Sequence, residues 1–368
     1  MGETIRILHV FGKLNRGGAE TFIMNVYRNI DRSKIQFDFM AHTADKCAYD
    51  DEIEELGGKI YRVPAYKVTN DLKYKSEWQK FFKNNKEHKI IHGHMTSTAA
   101  IYLKIAKKNG LTAVSHIHST SSGKGLAAAV KDIMQKPLKN IANCLFACSE
   151  AAGVYCYGTK VDFHVIKNAI DTKKFVYDTK MRKKIRTELR IEGKFVIGHI
   201  GRFTEAKNHS FILEIFKKIY ENNNNAVLLL VGDGELRGDI EKKVDEMGLK
   251  DDVIFTGIRS DIPELLCAMD VFLFPSLWEG LPVTLVEAQA SGVRCVVSDV
   301  ITKETALTDL IEYISLEKSA AHWADKILVY NNGYERRNMQ EEIKLAGFDI
   351  KELSSWLENF YLGAENNG

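Results

Sequence analysis

The sequence predicts an α/β protein made of two doubly wound, Rossmann-like units, and three features predict it. Strand-like apolar runs alternate with helix-length amphipathic segments along nearly the whole chain. At about 150 residues per domain, 368 residues exceed a single small module and suit two α/β domains. The alternation pauses once, at a Lys- and Arg-rich stretch from Asp171 to Glu192, and then resumes. With 45% apolar and 10% aromatic residues and five prolines, each unit can bury a core, which excludes a disordered or low-complexity chain.

The elements follow in order. Ile5 to Phe11 is a run of β-branched and aromatic residues and reads as a strand. A helix from about Ala19 to Ile30 follows, because Phe22, Ile23, Val26 and Ile30 recur at helical spacing. Ile35 to Met40, Ile90 to His92, Ala113 to Ile117, Cys144 to Ala147 and Phe163 to Ile166 are further strands with helical stretches between them, giving a first unit over residues 1–170. Residues 171–192 are expected to link it to a second unit over 193–347. The strands of that unit are Phe195 to Gly201, Val227 to Val231, Val253 to Thr256, Val271 to Phe274 and Cys295 to Ser298. In the order 3-2-1-4-5 its first and fourth strands are neighbours, so the loops after Gly201 and Phe274 face each other at the switch point. A cleft between the units is the expected binding site.

No run of about 18 or more apolar residues occurs, and Met1 to Leu8 lacks a signal-peptide apolar region. Export and membrane spanning are not expected. Six cysteines (Cys47, Cys144, Cys148, Cys156, Cys267, Cys295) show no paired-ligand spacing and are expected to be reduced, mostly buried and cytoplasmic. The net charge of +2 conceals an asymmetry: Met1 to Ile170 holds 25 basic and 16 acidic residues, and the remainder 26 and 33. The basic half suits an anionic phospholipid surface or a nucleic acid, with ordinary solvated charge as the plain alternative. Nucleic acid would leave the phosphate-binding loops described next without a use. Lys73 to Lys89, with Trp78, Phe81 and Phe82 among lysines, is the membrane-contact candidate, although those aromatics equally suit a core-facing helix side.

The strongest chemical signal runs from Pro275 to Ala288, where a strand turns into a helix. Pro282 suits the first helical position and Gly292 the helix end. Gly280 lets the backbone approach a ligand, so free amides around Leu281, Val283 and Thr284 can receive phosphate oxygens at the positive helix end. Glu287 lies five residues in, about 7.5 Å along the axis, a distance that suits a ribose beside a phosphate. Glu279 precedes the helix and points toward whatever lies beyond the phosphates. Facing it is Gly201-Arg202-Phe203-Thr204-Glu205-Ala206-Lys207, whose two cations are expected to converge on a diphosphate and to stabilise charge on a departing nucleotide. Gly232-Asp233-Gly234 reads as a tight turn lining that pocket, since Gly238 lies one residue too far for a dinucleotide fingerprint. Arg259, after the strand at Val253, is counted with the donor-binding residues.

In the first unit, Gly17 and Gly18 open a helix whose amides can meet the same phosphate, or else form a plain turn with Glu20 near the positive helix end. His92, His94, His116 and His118 sit at strand ends without HExxH or Cys/His metal spacing, and no Asp-x-Asp pair occurs. No metal and no cofactor are expected. His118, last before the small-residue stretch Ser119 to Gly125, is the histidine expected to reach a substrate, with His116 the alternative.

Together these segments resemble the family 4 glycosyltransferases, over nearly the whole chain. The matching pieces are Gly17 to Glu20, the His118 strand end, Asn168 to Asp171, Gly201-Arg202 with Lys207, Gly232 to Gly234, and Glu279 and Glu287 with seven residues between them. Arg294 and Ala169 depart from the proline and glycine often found at those places. The resemblance implies a GT-B fold and a nucleotide-sugar donor, uridine diphosphate preferred, with retention at the anomeric carbon by front-face displacement. In that reading Arg202 and Lys207 hold the diphosphate, Glu287 the ribose and Glu279 the donor sugar, with His118 beside sugar and acceptor. Gly17, Gly18, Gly232, Gly234, Arg259, Gly280, Leu281, Pro282 and Val283 complete the donor site, and a C-terminal helix over about 348–362 packs back on the first unit. Ser298 to Glu304 and Trp323-Ala324 resemble the branch that builds capsular and exopolysaccharides, which implies a lipid-linked saccharide acceptor at the inner membrane face. A nucleotide-sugar epimerase of similar build and a non-catalytic sugar-nucleotide-binding subunit are the competing readings.

Overall fold

The computed structural model describes residues 4–123 and 125–366. The chain divides into two compact units, residues 1–169 with 350–368, and residues 170–349. The first holds a seven-stranded parallel sheet: β1 (Ile5–Phe11), β2 (Ile35–Ala41), β3 (Ile60–Arg62), β4 (His88–Gly93), β5 (Thr112–Ile117), β6 (Cys144–Ala147) and β7 (His164–Val165), in the order β3-β2-β1-β4-β5-β6-β7. The second holds six parallel strands: β8 (Phe195–Ile200), β9 (Ala226–Val231), β10 (Val253–Gly257), β11 (Val271–Phe274), β12 (Arg294–Ser298) and β13 (Ile311–Ile314), in the order β10-β9-β8-β11-β12-β13. Both are doubly wound α/β units. Helices cover both faces of each sheet, which is why β8 and β9 are buried at every residue and read as unbroken apolar runs.

Two apolar clusters, one per sheet face, form each core. In the first unit the helix Ile350–Asn366 packs beside Gly18–Asn29, placing Ile350, Leu357 and Tyr361 in the same cluster as Ile7, Phe22 and Phe37. In the second, Trp323 and the helix His209–Asn222 fill one face, while Leu285 and Val286 fill the other.

Two expectations are corrected. Residues 171–192 are no free linker but part of the second unit. Asp178 caps the helix Thr179–Glu188, accepting from the Lys180 and Met181 amides at 2.7 and 3.3 Å. From that helix Arg182 and Arg186 grip Asp270 at 2.5 and 2.6 Å, which docks the helix on the second unit. In Lys73 to Lys89, Trp78, Phe81 and Phe82 are buried in the core, because the helix Asp71–Asn84 turns its aromatic side inward. The six cysteines are free thiols, all buried except the partly exposed Cys144.

Candidate functional site

In the second unit β8 and β11 are neighbours, so the loops leaving their carboxyl ends lie side by side. After β8 the chain makes a single 3-10 turn, Glu205–Lys207, and Asn208 then enters the left-handed region (φ 57°) before the helix His209–Asn222. Asn is among the few side chains that tolerate that backbone. Its Nδ2 donates to the Pro275 carbonyl at 3.1 Å, and the Leu277 amide donates to the Ala206 carbonyl at 2.8 Å. These two bonds stitch the loops together.

The consequence is a charge pair. Lys207 Nζ lies 2.6 Å from Glu279 Oε1, with the side chains 16% and 14% exposed, and 4.6 Å from the centre of the Phe274 ring. The carboxylate oxygen is not aligned as a hydrogen-bond acceptor, so the contact is electrostatic, and its burial protects it from screening. Arg202 does not join it: that side chain is 73% exposed and lies 3.3 Å from Glu235. One cation, not two, therefore stands at the junction of the loops.

Beyond Glu279 the chain reaches the helix Val283–Ala290. Pro282 precedes it as the N-cap with extended backbone (φ −73°, ψ 103°), one position earlier than its ring geometry suggests. The amides of Val283 and Thr284 have no carbonyl a turn behind them and stay available to an anion. Leu281 and Val283 are partly exposed, and a Cβ built on Gly280 would meet nothing within 4 Å. Glu287 keeps some exposure, yet desolvation of its carboxyl raises it to about 8, and among the described residues that carboxyl has no ion-pair or hydrogen-bond partner. It holds its proton at neutral pH and can meet a diol as donor and acceptor together.

In the first unit Gly17 caps the helix Gly18–Asn29 with extended backbone. Glu20 folds back over it: a Cβ at Gly17 would lie 2.3 Å from Glu20 Oε2, and burial of that carboxyl raises its pKa. On the same sheet face, five histidines form one array. His92 of β4 and His94 just beyond it share a face by the two-residue period, as do His116 of β5 and His118 just beyond it, and His9 of β1 is the register partner of His92. His118 Nε2 lies 2.8 Å from His94 Nδ1, and its own Nδ1 is covered and has no partner among the described residues. Burial lowers the His118 pKa to about 3, so the ring is neutral in the folded state. His116 is fully buried and bonds His92 at 3.2 Å, so of the two it is His118 that keeps partial exposure. Two triads, His9-His92-His94 and His94-His116-His118, bring ring nitrogens within 4.8 Å of one another. The four histidines expected at strand ends do come together, and the structure adds His9, which joins them across strands.

The model of the "Glycosyltransferase Family 4" matches residues 16–174 and that of "Glycosyl transferases group 1" residues 181–345. The putative glycosyltransferase EpsF of Bacillus subtilis (strain 168) is 36% identical over 370 residues, 97% of this chain and 96% of that one. The chain belongs to the family 4 glycosyltransferases. The UDP-Gal:alpha-D-GlcNAc-diphosphoundecaprenol alpha-1,3-galactosyltransferase of Escherichia coli is 31% identical over 253 residues, 63% of each chain. The capsular polysaccharide biosynthesis glycosyltransferase CapH of Staphylococcus aureus is 27% identical over 305 residues, 77% of this chain and 78% of that one. Among solved structures, Anabaena HepE in complex with UDP and glucose superposes with a TM-score of 0.78 at 18% identity, over 97% of this chain and 99% of that one. The fold is thus GT-B.

Within the glycosyltransferase the remaining expected site residues have structural duties. Gly232 (φ +137°) and Gly234 leave room for the loop after β8: a Cβ would lie 2.1 Å from the Gly201 carbonyl oxygen and 2.5 Å from that of Phe203. The Phe203 amide in turn donates to the Asp233 carbonyl at 3.0 Å. Arg259 is held by Asp261 and, at 3.1 Å, by Glu188, and these carboxylates raise its pKa. Asn208, directly after Lys207 in the facing segment, carried no expected role; its bond to the Pro275 carbonyl holds Lys207 in place, and the signal available was an Asn directly before a helix. Trp278, 54% exposed beside Glu279, was likewise unremarked.

Proposed function

We propose that this glycosyltransferase is a retaining, metal-independent hexosyltransferase that moves a hexosyl unit from a UDP-sugar to a lipid-linked saccharide in capsule or exopolysaccharide synthesis. The observation that carries the reading is the junction of the loops after β8 and β11. A buried cation, a carboxylate and the amides of a helix N-terminus stand there in sequence, with Glu287 one turn further. Lys207, helped by Arg202 swinging from the surface, takes the diphosphate and stabilises the charge that builds on it as the glycosidic bond breaks. Amides at Leu281, Val283 and Thr284 share that load, which is why no metal is required. Glu287 receives the ribose hydroxyls and Glu279 the donor sugar. His118, neutral at working pH, acts as a hydrogen-bonding group, and the leaving phosphate itself receives the acceptor proton.

The nucleotide is supported by the UDP and UDP-Gal in the names of two similar proteins, and the acceptor by the diphosphoundecaprenol in one of them. CapH, named for capsular polysaccharide, supports the pathway. No helix among the described residues is long and apolar enough to cross a membrane. A lipid-linked acceptor then requires a docking face, and the helix Leu126–Gln135 supplies one. Leu126, Val130 and Ile133 follow the i, i+4, i+7 spacing and are 89%, 47% and 63% exposed. From Lys104 to Lys139 the chain carries seven lysines against a single acid, Asp132, which suits an anionic leaflet.

The deciding experiment incubates the protein with individual nucleotide sugars in EDTA, with and without lipid-linked acceptors, and follows released UDP and extended product. Release and extension with one donor in EDTA is expected. Binding without release under any acceptor would overturn transfer in favour of epimerisation or a non-catalytic subunit, and rescue by a divalent cation would overturn metal independence. Cosedimentation with anionic liposomes tests docking: Val130→Glu with Ile133→Glu is expected to abolish it and Lys80→Glu with Lys83→Glu to leave it largely intact. The reverse result would return the membrane contact to residues 73–89.

A further inference from the structure

We propose that His9, His94 and His118 form one tautomer-coupled string of neutral imidazoles that sets which nitrogen of His118 carries its proton, making His94 and His9 positioning residues for it. The functional half rests on the reading of His118 given above; the string itself rests on geometry. His9 Nδ1 lies 3.0 Å from His94 Nε2, and His94 Nδ1 lies 2.8 Å from His118 Nε2. The ends, His9 Nε2 and His118 Nδ1, are buried and have no partner among the described residues.

A neutral imidazole has one N–H and one bare nitrogen. Each link needs a donor on one ring and an acceptor on the next, and His94 must serve both neighbours. Only two arrangements satisfy both links. In one, all three rings carry the proton on Nδ1, and His118 offers a donor there. In the other, all three carry it on Nε2, and His118 offers an acceptor. His118 therefore cannot change tautomer alone.

Two surroundings support this. His94 is clamped by Phe11, with ring centres 4.3 Å apart and planes within 8°, so its nitrogens are held in line with both partners. Beside the string, Tyr361 Oη, His92 Nδ1, His92 Nε2 and His116 Nδ1 form a second one, with contacts of 2.7 and 3.2 Å, ending at an unpartnered His116 Nε2. All five rings are neutral because burial lowers each pKa, and only Asp38 bears on His9 in the opposite sense. A shared metal ion fits less well. Nitrogens that face one another at hydrogen-bond distance leave no space between them, whereas lone pairs must converge on a cation.

The test uses the full chain labelled with 15N-histidine, which gives only 11 rings to resolve, assigned by single substitutions. Long-range ring 1H–15N spectra at pH 7.5 are expected to show His9, His94 and His118 in the same tautomer. His94→Phe keeps the stack on Phe11 but removes both links, and is expected to release His9 and His118 into mixed tautomers. With whichever donor proves productive in the donor test above, that variant should lower kcat about tenfold or more with KM for the donor little changed, and His94→Asn, which restores a polar group toward His118, should recover part of the loss. Different tautomers among the three rings, an imidazolium at pH 7.5, or one equivalent of zinc displacing ring protons from EDTA-stripped protein would overturn the string. Should His94→Phe misfold, the wild-type spectra and His94→Asn still decide. A uniform tautomer with kcat unmoved by His94→Phe overturns the positioning role, and full activity of His118→Ala overturns instead the reading of His118 on which that role rests.

Discussion

Lowering the pH from 7.5 to 5.5 should unfold the first unit preferentially. His9 and His118 are held neutral down to about pH 3, and His92, His94 and His116 well below their ordinary 6.5. The unfolded chain protonates all five near 6.5, so between these limits it binds more protons than the fold, and stability falls as pH falls. For one ring that stays neutral while its unfolded counterpart titrates at 6.5, the loss over this interval is about 1.4 kcal/mol. Five rings together lose several kcal/mol, on the order of the whole stability of a typical domain, with His42 adding to the loss and Glu20 opposing it. In the second unit His199 and His209 act in the same sense, but Glu287, raised to about 8, acts in the opposite one. It binds a proton in the fold that the unfolded chain releases near 4.5. That unit should lose far less. Hydrogen exchange by mass spectrometry, corrected for the intrinsic pH dependence, resolves the units. Amides of β4 and β5 should lose protection by several orders of magnitude relative to those of β8 and β9. A relative loss below about tenfold, or about 1.4 kcal/mol, would refute the neutral array.

Three further outcomes follow from the site. Gly232→Ala adds a Cβ 2.1 Å from the Gly201 carbonyl oxygen at a φ of +137°, and should cost several kcal/mol in urea melts, on the order of the larger single-site effects. Gly280→Ala meets open space and should leave the melting temperature within about a degree, yet weaken binding of UDP-sugar in calorimetry if the backbone there approaches the phosphates. Arg259→Ala breaks its links to Asp261 and Glu188, so the melt should shift, by about 1 kcal/mol or less for such a partly exposed network, while KM for the donor changes less than twofold.

Most of the fold was legible because both sheets are parallel and covered on both faces, which writes their strands as apolar runs: β1, β6 and β11 match their expected limits. The strands that escaped notice, β3 and β13, lie at or near sheet edges. One has three residues and the other is interrupted by Glu312. The facing loops after β8 and β11 could be read because strand order alone places them together. What could not be read was side-chain partnership. Arg202 and Lys207 stand five positions apart in the chain, but the 3-10 turn and Asn208 direct one to Glu279 and leave the other in solvent. Four of the five histidines could be placed together at strand ends, but the membership of His9 and the ring-to-ring links could not, since β1, β4 and β5 bring them from three distant segments.

The two places proposed to receive phosphate share a feature that bears on how a donor enters. In the second unit Lys207 is occupied by Glu279; in the first, the glycine-opened helix start is covered by Glu20. Each anion site is filled by a carboxylate of its own unit. A cation or a helix N-terminus buried without a counter-charge is costly, and these side chains remove that cost in the empty protein. On the proposed function, an arriving diphosphate exchanges with a carboxylate and does not fill a vacant positive site. In this reading the exchange frees Glu279 at the moment a sugar hydroxyl needs an acceptor. Glu279→Gln should consequently tighten UDP alone, by removing the competing charge, while lowering turnover of UDP-sugar. Calorimetry with UDP separates the two effects, and weaker UDP binding in that variant would show that Glu279 supports the phosphate site and does not compete for it.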